Sequence, residues 1–282
     1  VELLQQSTCA IVGSRNSSAN GKRFARQVAK GLGNEGWNIA SGLARGIDTA
    51  AHEASIEQGT IAVVATGLDV VYPPEHEKLS SEVRAKGCIV TEMPPGTQPR
   101  AELFPRRNRI IAGLAAGVVV IEAALRSGSL ITARLANEIG RDVFAVPGSP
   151  FDPRSAGTNK LIQDGAMLIT SYQDIMDVLE RGHLYSDSLT SGNAEQHSAR
   201  SQTLPDPESN QAAQQPAGQD DRVLDDSHRK VVVELLGPDP VEVNVVVREA
   251  GLSPRLVQMV MIELDLAGRL ERHSGQRVSL IA

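Results

Sequence analysis

Four stretches combine glycine, hydroxyl and cationic residues in spacings suited to holding phosphate. They are Gly13–Arg15, Ser41–Asp48, Phe104–Ile111 and Ser127–Thr132. Glycine lets the backbone approach an anion closely, and a helix that follows such a turn offers free N–H groups at its positive end. Ser14 and Ser41 supply hydroxyls, while Arg15 and Arg45 supply planar forks matched to phosphate oxygens. Within Phe104–Ile111, three arginines and Asn108 crowd a helix start, where cations are unfavourable unless an anion meets them. Pairing of those arginines with Glu92, Glu102 or Glu122 is the alternative. Further on, Val146–Ser149 and Gly157–Lys160 continue the pattern, with Lys160 as a point charge. Arg15, Arg45, Arg107 and Lys160 are expected around one rim, forming a groove that tracks a phosphate chain.

Catalytic chemistry has thinner support. Asp48 and His52 fall one helical turn apart and, with Asp69, are candidate acid–base groups. Asp48 is better read as capping its helix or pairing with Arg45. There is no Cys/His cluster for a metal, no Gly-x-Ser-x-Gly elbow, no Walker loop and no Gly-x-Gly-x-x-Gly fingerprint after Gly13. No cofactor is expected. Aromatic residues make up 3% of the chain, so extended base stacking is weak and backbone capture is the expected mode.

Short apolar runs position these loops: Cys9–Gly13, Trp37–Ala40, Thr60–Thr66, Cys88–Thr91, Val118–Ile121, Asp142–Val146 and Met167–Ile169. Helical patterns such as Gly21–Gly33, Ile47–Gln58, Leu130–Ile139 and Tyr172–Glu180 lie between them. Continuous apolar strands separated by helices predict a doubly wound, Rossmann-like parallel α/β sheet covered on both faces. In such sheets ligands bind beyond the carboxyl ends of the strands, where the four stretches fall.

The chain of 282 residues has a net charge of −6, unevenly spread. Residues 1–185 hold 19 basic against 19 acidic residues, 186–221 hold 1 against 6, and 222–282 hold 8 against 9. Any nucleic-acid site is therefore a local patch on a neutral domain. The stretch 186–221 is rich in Ser, Gln, Ala and Pro and reads as a disordered linker between a domain at 1–185 and a small one at 222–282. In the latter, Asp225–Leu236, Val241–Ala250 and Pro254–Ala267 are expected helices, with Ser253 as an N-cap and Pro254 at the first turn. A hairpin over Arg269–Ile281, turning at Ser274 and Gly275, completes a winged helix-turn-helix. Its third helix carries Arg255, Glu263 and Asp265, a poor set for facing phosphate. Cys9 and Cys88, both in apolar runs, suit a reducing cytoplasm. No apolar run approaches the roughly 18–20 residues that span a bilayer, and Val1 is not an initiator Met, so the native protein could begin upstream.

Taken in order, Gly13–Arg15, Ser41–Asp48, Gly67–Pro73, Phe104–Ile111, Glu122–Thr132, Val146–Gly148 and Gly157–Ile162 resemble the DNA-processing protein A family, also called DprA or Smf. The C-terminal part is similar to the winged-helix domain of many members. The resemblance implies a non-enzymatic homodimer that binds and protects single-stranded DNA during natural transformation and loads the recombinase RecA onto it. It implies DNA contacts at Arg45, Arg107, Asn108 and Lys160, with Ser14, Arg15, Ser41 and Gly42 lining the pocket. Self-association and RecA docking are implied at about Leu161–Leu184. The near-neutral C-terminal domain departs from duplex binding by its third helix, and the small helical domain that precedes the sheet in many members is not part of this sequence.

Two other classes stay open. A phosphoribohydrolase-type enzyme would need a Pro-Gly-Gly-x-Gly-Thr-x-x-Glu turn, and Leu125–Thr132 lacks both its glycine pair and its trailing Glu. A transcriptional regulator would need a more basic third helix than Pro254–Ala267 offers.

Overall fold

The computed structural model describes residues 2–180 and 224–281; the expected linker 186–221 lies outside the described residues. Strands β1 (Thr8–Gly13), β2 (Asn38–Ser41), β3 (Thr60–Val63), β4 (Cys88–Val90), β5 (Gly117–Ile121), β6 (Asp142–Ala145) and β7 (Met167–Leu168) form one sheet in the order β4-β3-β2-β1-β5-β6-β7. Every pairing in it is parallel. The order reverses between β1 and β5, which places the topological switch point there.

Alternation along the strands divides the apolar residues between two faces. Cys9, Ile11, Val119, Ile121 and Phe144 pack with α1 (Ala19–Asn34), α2 (Ile47–Ser55) and α7 (residues 172–180). Ala10, Val12, Val118 and Val120 pack on the other face with α4 (Leu103–Leu114) and α5 (Gly128–Glu138). Helices α3 (Glu77–Lys86) and α6 (Ala156–Gln163) complete the unit. Burial on both sides is why the strands read as unbroken apolar runs. Buried Cys9 has its thiol pKa pushed up to about 12, which makes it inert.

The second unit contains α8 (Asp226–Leu235), α9 (Val243–Ala250), α10 (Pro254–Leu266) and a three-stranded sheet β8-β10-β9. It is a winged helix. Asp225 and His228 form a capping box on α8, and Ser253 accepts from Leu256 N at the start of α10. Val241–Glu242, expected as the start of a helix, is instead β8, because it pairs with Arg277–Val278 of β10.

The two units touch. Ala19 at the start of α1 is buried within the winged-helix core. Arg154, paired with Asp152, donates to Glu234 O at 2.7 Å and Leu236 O at 2.8 Å, satisfying carbonyls at the end of α8. Arg26 of α1 holds Glu249 of α9 in a two-pronged pair at 2.7 and 3.3 Å.

Candidate nucleic-acid interface

At the end of β1 the chain has no room for a side chain. A Cβ on Gly13 would overlap the Ile121 carbonyl and meet Ile47 Cγ1 at 2.6 Å. The turn that follows carries Ser14 and exposed Arg15 into a crevice of about 830 Å³ beyond the β1 and β5 ends. Across it lies the start of α5. Ser127 caps that helix through Ser129 N, and no acidic residue occupies its first turn. The N-terminal end of α5 thus faces the crevice with no acidic side chain in its first turn to offset the helix's partial positive charge. Exposed Arg126 stands beside them, and neither Arg15 nor Arg126 has an ion-pair partner among the described residues. Arg126 was not singled out from the sequence, although it directly precedes the Ser-Gly-Ser turn; its neighbours drew attention as a helix start.

An aromatic pair forms one wall. The Arg15 guanidinium lies over the Phe104 ring at 5.3 Å, and Tyr72 tilts against Phe104 with centroids 5.6 Å apart. These contacts fix Arg15 without neutralising it.

The loop after β2 is held from beneath. Ser41 Oγ donates to Ile11 O at 2.6 Å and is fully buried, so this expected ligand hydroxyl is committed to the fold. Asp48 Oδ2 accepts from Gly42 N at 3.1 Å and Ala44 N at 3.3 Å. Asp48 therefore braces the loop rather than pairing with Arg45, whose partner is Glu75. Leu43 at φ 56 and Gly46 at φ 80 make the bend, and Gly46 comes close to the Ser14 carbonyl. His76 Nδ1 meets Leu43 O at 3.0 Å. The result is a rigid lip carrying Gly42 and Arg45.

Arg107 departs furthest from expectation. It is 7% exposed, and its guanidinium donates to Gly42 O at 2.6 Å, to Val63 O, and to Asn108 Oδ1 at 3.2 Å. It closes the ends of β2 and β3 from the crevice floor. Asn108, also buried, donates on to Gly128 O at 3.2 Å and links α4 to the head of α5. Burial lowers the Arg107 pKa to about 10, opposed by Asp48 and assisted by Arg15. Burial raises the Asp48 carboxyl, against the pull of Arg107 and the two amides. Of the other arginines on α4, Arg106 is exposed and Arg109 pairs with Glu92, so the cationic helix start is partly neutralised.

Two expected positions are arranged differently. The N-terminus of α1 is not an open anion seat, because Glu122 fills it. Its carboxylate accepts from Ser18 N at 2.8 Å and from Ser18 Oγ, and its backbone is left-handed at φ 52. Burial, opposed by those bonds, raises its pKa. Lys160 sits on α6, half exposed and paired with Asp164 at 2.6 Å, and does not line the crevice. Arg15, Gly42, Arg45 and Arg107 do share a smaller hollow with Tyr72 and Phe104. The structure thus gathers three of the four expected cations around one hollow, and the fourth, Lys160, stands on α6 apart from it. Of the candidate acid–base groups, Asp48 is committed to two amides. His52 is fully buried against Thr60, its pKa lowered to about 3 chiefly by burial. Asp69 accepts from Gly96 N at 2.7 Å.

A doubly wound parallel sheet with a cationic crevice at its switch point, joined to a winged helix, places the chain among two-domain α/β proteins. The family model for DNA recombination-mediator protein A matches residues 1–180, and the model for the DprA winged helix domain matches residues 207–276. The chain belongs to the DprA/Smf family. It is 50% identical over 182 residues to DNA processing protein DprA of Streptococcus pneumoniae, covering 64% of each chain. To protein Smf of Escherichia coli K12 it is 37% identical over 274 residues, 96% of this chain and 67% of that one. It therefore spans about two thirds or less of these relatives' length. Among solved structures, it resembles S. pneumoniae DNA processing protein A at 50% identity with a TM-score of 0.59, covering 62% of each chain. It also resembles Helicobacter pylori DNA processing protein A, whose structure was reported for a unique single-stranded DNA binding mode. There the identity is 31% and the TM-score 0.61, over 64% of this chain and 84% of that one.

Proposed function

We propose that the crevice between the β1 and β5 ends holds the backbone of single-stranded DNA, and that the protein is a binding mediator rather than an enzyme. The observation that carries this reading is that two exposed arginines, Arg15 and Arg126, without ion-pair partners among the described residues, stand with the acid-free N-terminal end of α5 around one crevice. Phosphate is the anion that such a set fits best. The lip residues Ser14, Gly42 and Arg45 continue the track, with Lys160 farther along it. Arg107 and Asn108 act from beneath the surface, holding the lip and raising the local potential. Phe104 and Tyr72 give a base one place to rest. The commitment of Asp48 and His52 to internal bonds supports a non-catalytic role.

Family membership and the H. pylori structure's DNA-binding description support the choice of ligand. The family's description as a recombination mediator supports handing the strand to a recombinase, here read as RecA, during natural transformation. A homodimer is part of this reading: the edge strand β7 exposes Leu168 within the region implied for self-association, of which residues 181–184 lie outside the described residues. We place the protein in the cytoplasm, with domains at 1–185 and 222–282. Among the described residues no helix is long and apolar enough to cross a membrane.

The test is a titration of a labelled oligonucleotide across salt concentrations. Replacing Arg15 and Arg126 together by Ala should weaken binding and flatten the slope of log affinity on log salt by about 1.4, at roughly 0.7 per lost contact. An unchanged slope would move the site elsewhere. Replacing Arg45 and Lys160 together tests the extension of the track and should give a similar loss.

A further inference from the structure

A second cationic cleft lies on the other side of Arg45. It has a volume of about 660 Å³ and is formed jointly by α1, the start of α2 and the end of α9. Lys22, Arg23 and Arg26 line one wall, Arg248 the other, and Arg45 stands at the mouth it shares with the lip of the crevice. Five cations thus line the cleft against two carboxylates, Glu53 and Glu249. Crowding like charges is unfavourable unless an anion compensates them. Within the chain, Glu53 pairs Arg26 and Glu75 pairs Arg45, and the most buried compensating group is Glu249. Glu249, with its side chain only 7% exposed, takes the two-pronged pair from Arg26 and lies 3.9 Å from Lys22 Nζ. A carboxylate gripped by a guanidinium fork presents the same oxygen geometry as a phosphate. Arg23 and Arg248 are exposed and have no ion-pair partner among the described residues, so the cleft retains unspent positive charge.

We propose that this interdomain cleft is a second seat for the nucleic-acid backbone, continuous with the crevice through Arg45, and that Glu249 stands in for a phosphate until a strand arrives. The winged helix then contributes to single-strand binding through the end of α9, not through α10. The two acidic residues of α10 are already paired, Glu263 with Arg229 and Asp265 with Arg272, and leave that helix no basic face. A strand long enough to pass Arg45 leaves the crevice and runs between two cationic walls, one from each domain. Shorter strands stop at the crevice. This rests on the crevice reading above, and the experiment separates the two.

Fluorescence anisotropy is measured on the full chain with two oligonucleotides, one of about 5 and one of about 20 nucleotides, the first near the short end of typical site sizes and the second beyond their long end. Replacing Arg23 and Arg248 together by Ala should weaken only the long strand, with a salt slope shallower by about 1.4. Glu249→Gln keeps the shape and removes the competing charge, so it should tighten the long strand several-fold and leave the short one unchanged. Loss of neither affinity nor slope in the double variant overturns the second seat, as does long-strand binding that is unchanged or weaker in Glu249→Gln. If the Glu249 variant melts early, the surface pair Arg23 and Arg248 still decides the matter. Failure of the crevice itself has another signature: short-strand binding indifferent to loss of Arg15 and Arg126.

Discussion

Arg107→Met probes whether the cation under the lip is a structural brace. The substitution keeps most of the side chain's volume and removes its donors. Gly42 O and Val63 O, at the ends of β2 and β3, each lose a charged donor in a buried setting. An orphaned buried carbonyl costs on the order of 1–3 kcal/mol. Asp48, whose pKa burial already raises, loses the cation that opposes the shift. Breaking one side of a buried charge arrangement costs about 3–5 kcal/mol, and part is recovered because the guanidinium's own desolvation disappears. The net expectation is a loss of about 3 kcal/mol in urea unfolding at pH 7. Asp48→Asn then supplies the second arm of a double-mutant cycle. With Asp48 neutral, Arg107→Met should cost less, giving a coupling of about 1–2 kcal/mol. A stability loss below about 0.5 kcal/mol, or strict additivity with Asp48→Asn, would refute the brace and return Arg107 to the role of a surface phosphate clamp.

Three other outcomes are expected. His52 is held neutral, with its pKa lowered from 6.5 to about 3, so the unfolded chain binds the extra proton between those values and stability falls as pH drops through that window. Each pH unit inside it should cost roughly 1.4 kcal/mol, and His52→Gln should remove that part of the acid sensitivity measured by chemical unfolding. Gly42→Ala should force the Arg107 guanidinium away, since the new Cβ would lie 2.6 Å from its Nη1; a drop of about 1–3 kcal/mol in stability and weaker strand binding should appear together. Glu122→Ala should remove the two bonds that hold Ser18, the N-cap of α1, lowering stability by about 1–2 kcal/mol in thermal melts without changing the salt slope of strand binding.

The sheet was legible because burial on both faces leaves an unmistakable signature. Runs such as Val118–Ile121 admit no exposed side, and the first two, Cys9–Gly13 and Trp37–Ala40, lead directly into glycine and serine turns. The loops proposed to hold phosphate stood out for a related reason: glycine, serine and arginine cluster in them. What pattern could not reveal is which polar groups the fold consumes. Ser41 and Ser14 look alike in sequence, yet the first is spent on Ile11 O and the second lines the crevice. Arg106 and Arg107 are neighbours, and a helix turns one to solvent and one into the floor. Glu122 hides in the same way: a carboxylate directly after an apolar strand was available to pair with an arginine, but the nearest unsatisfied donors belonged to Ser18, over a hundred positions away. The charges that join the domains, Arg154 and Glu249, lie on segments whose approach only tertiary packing determines.

The reversal of strand order has a temporal side. β1 is complete on one edge once β2 has been made, but its other edge must wait for β5, and Cys9 meets Gly117 across 108 positions of chain. At about 5–20 residues per second of synthesis, that edge stays bare for several seconds on the ribosome. For that interval an apolar ribbon with open hydrogen-bonding groups is available to any other strand, the hazard that sheet edges always carry. The same discontinuity that opens the crevice in the finished protein leaves a gap in the nascent one. Helpers that shield unfinished chains would have their longest task at β1.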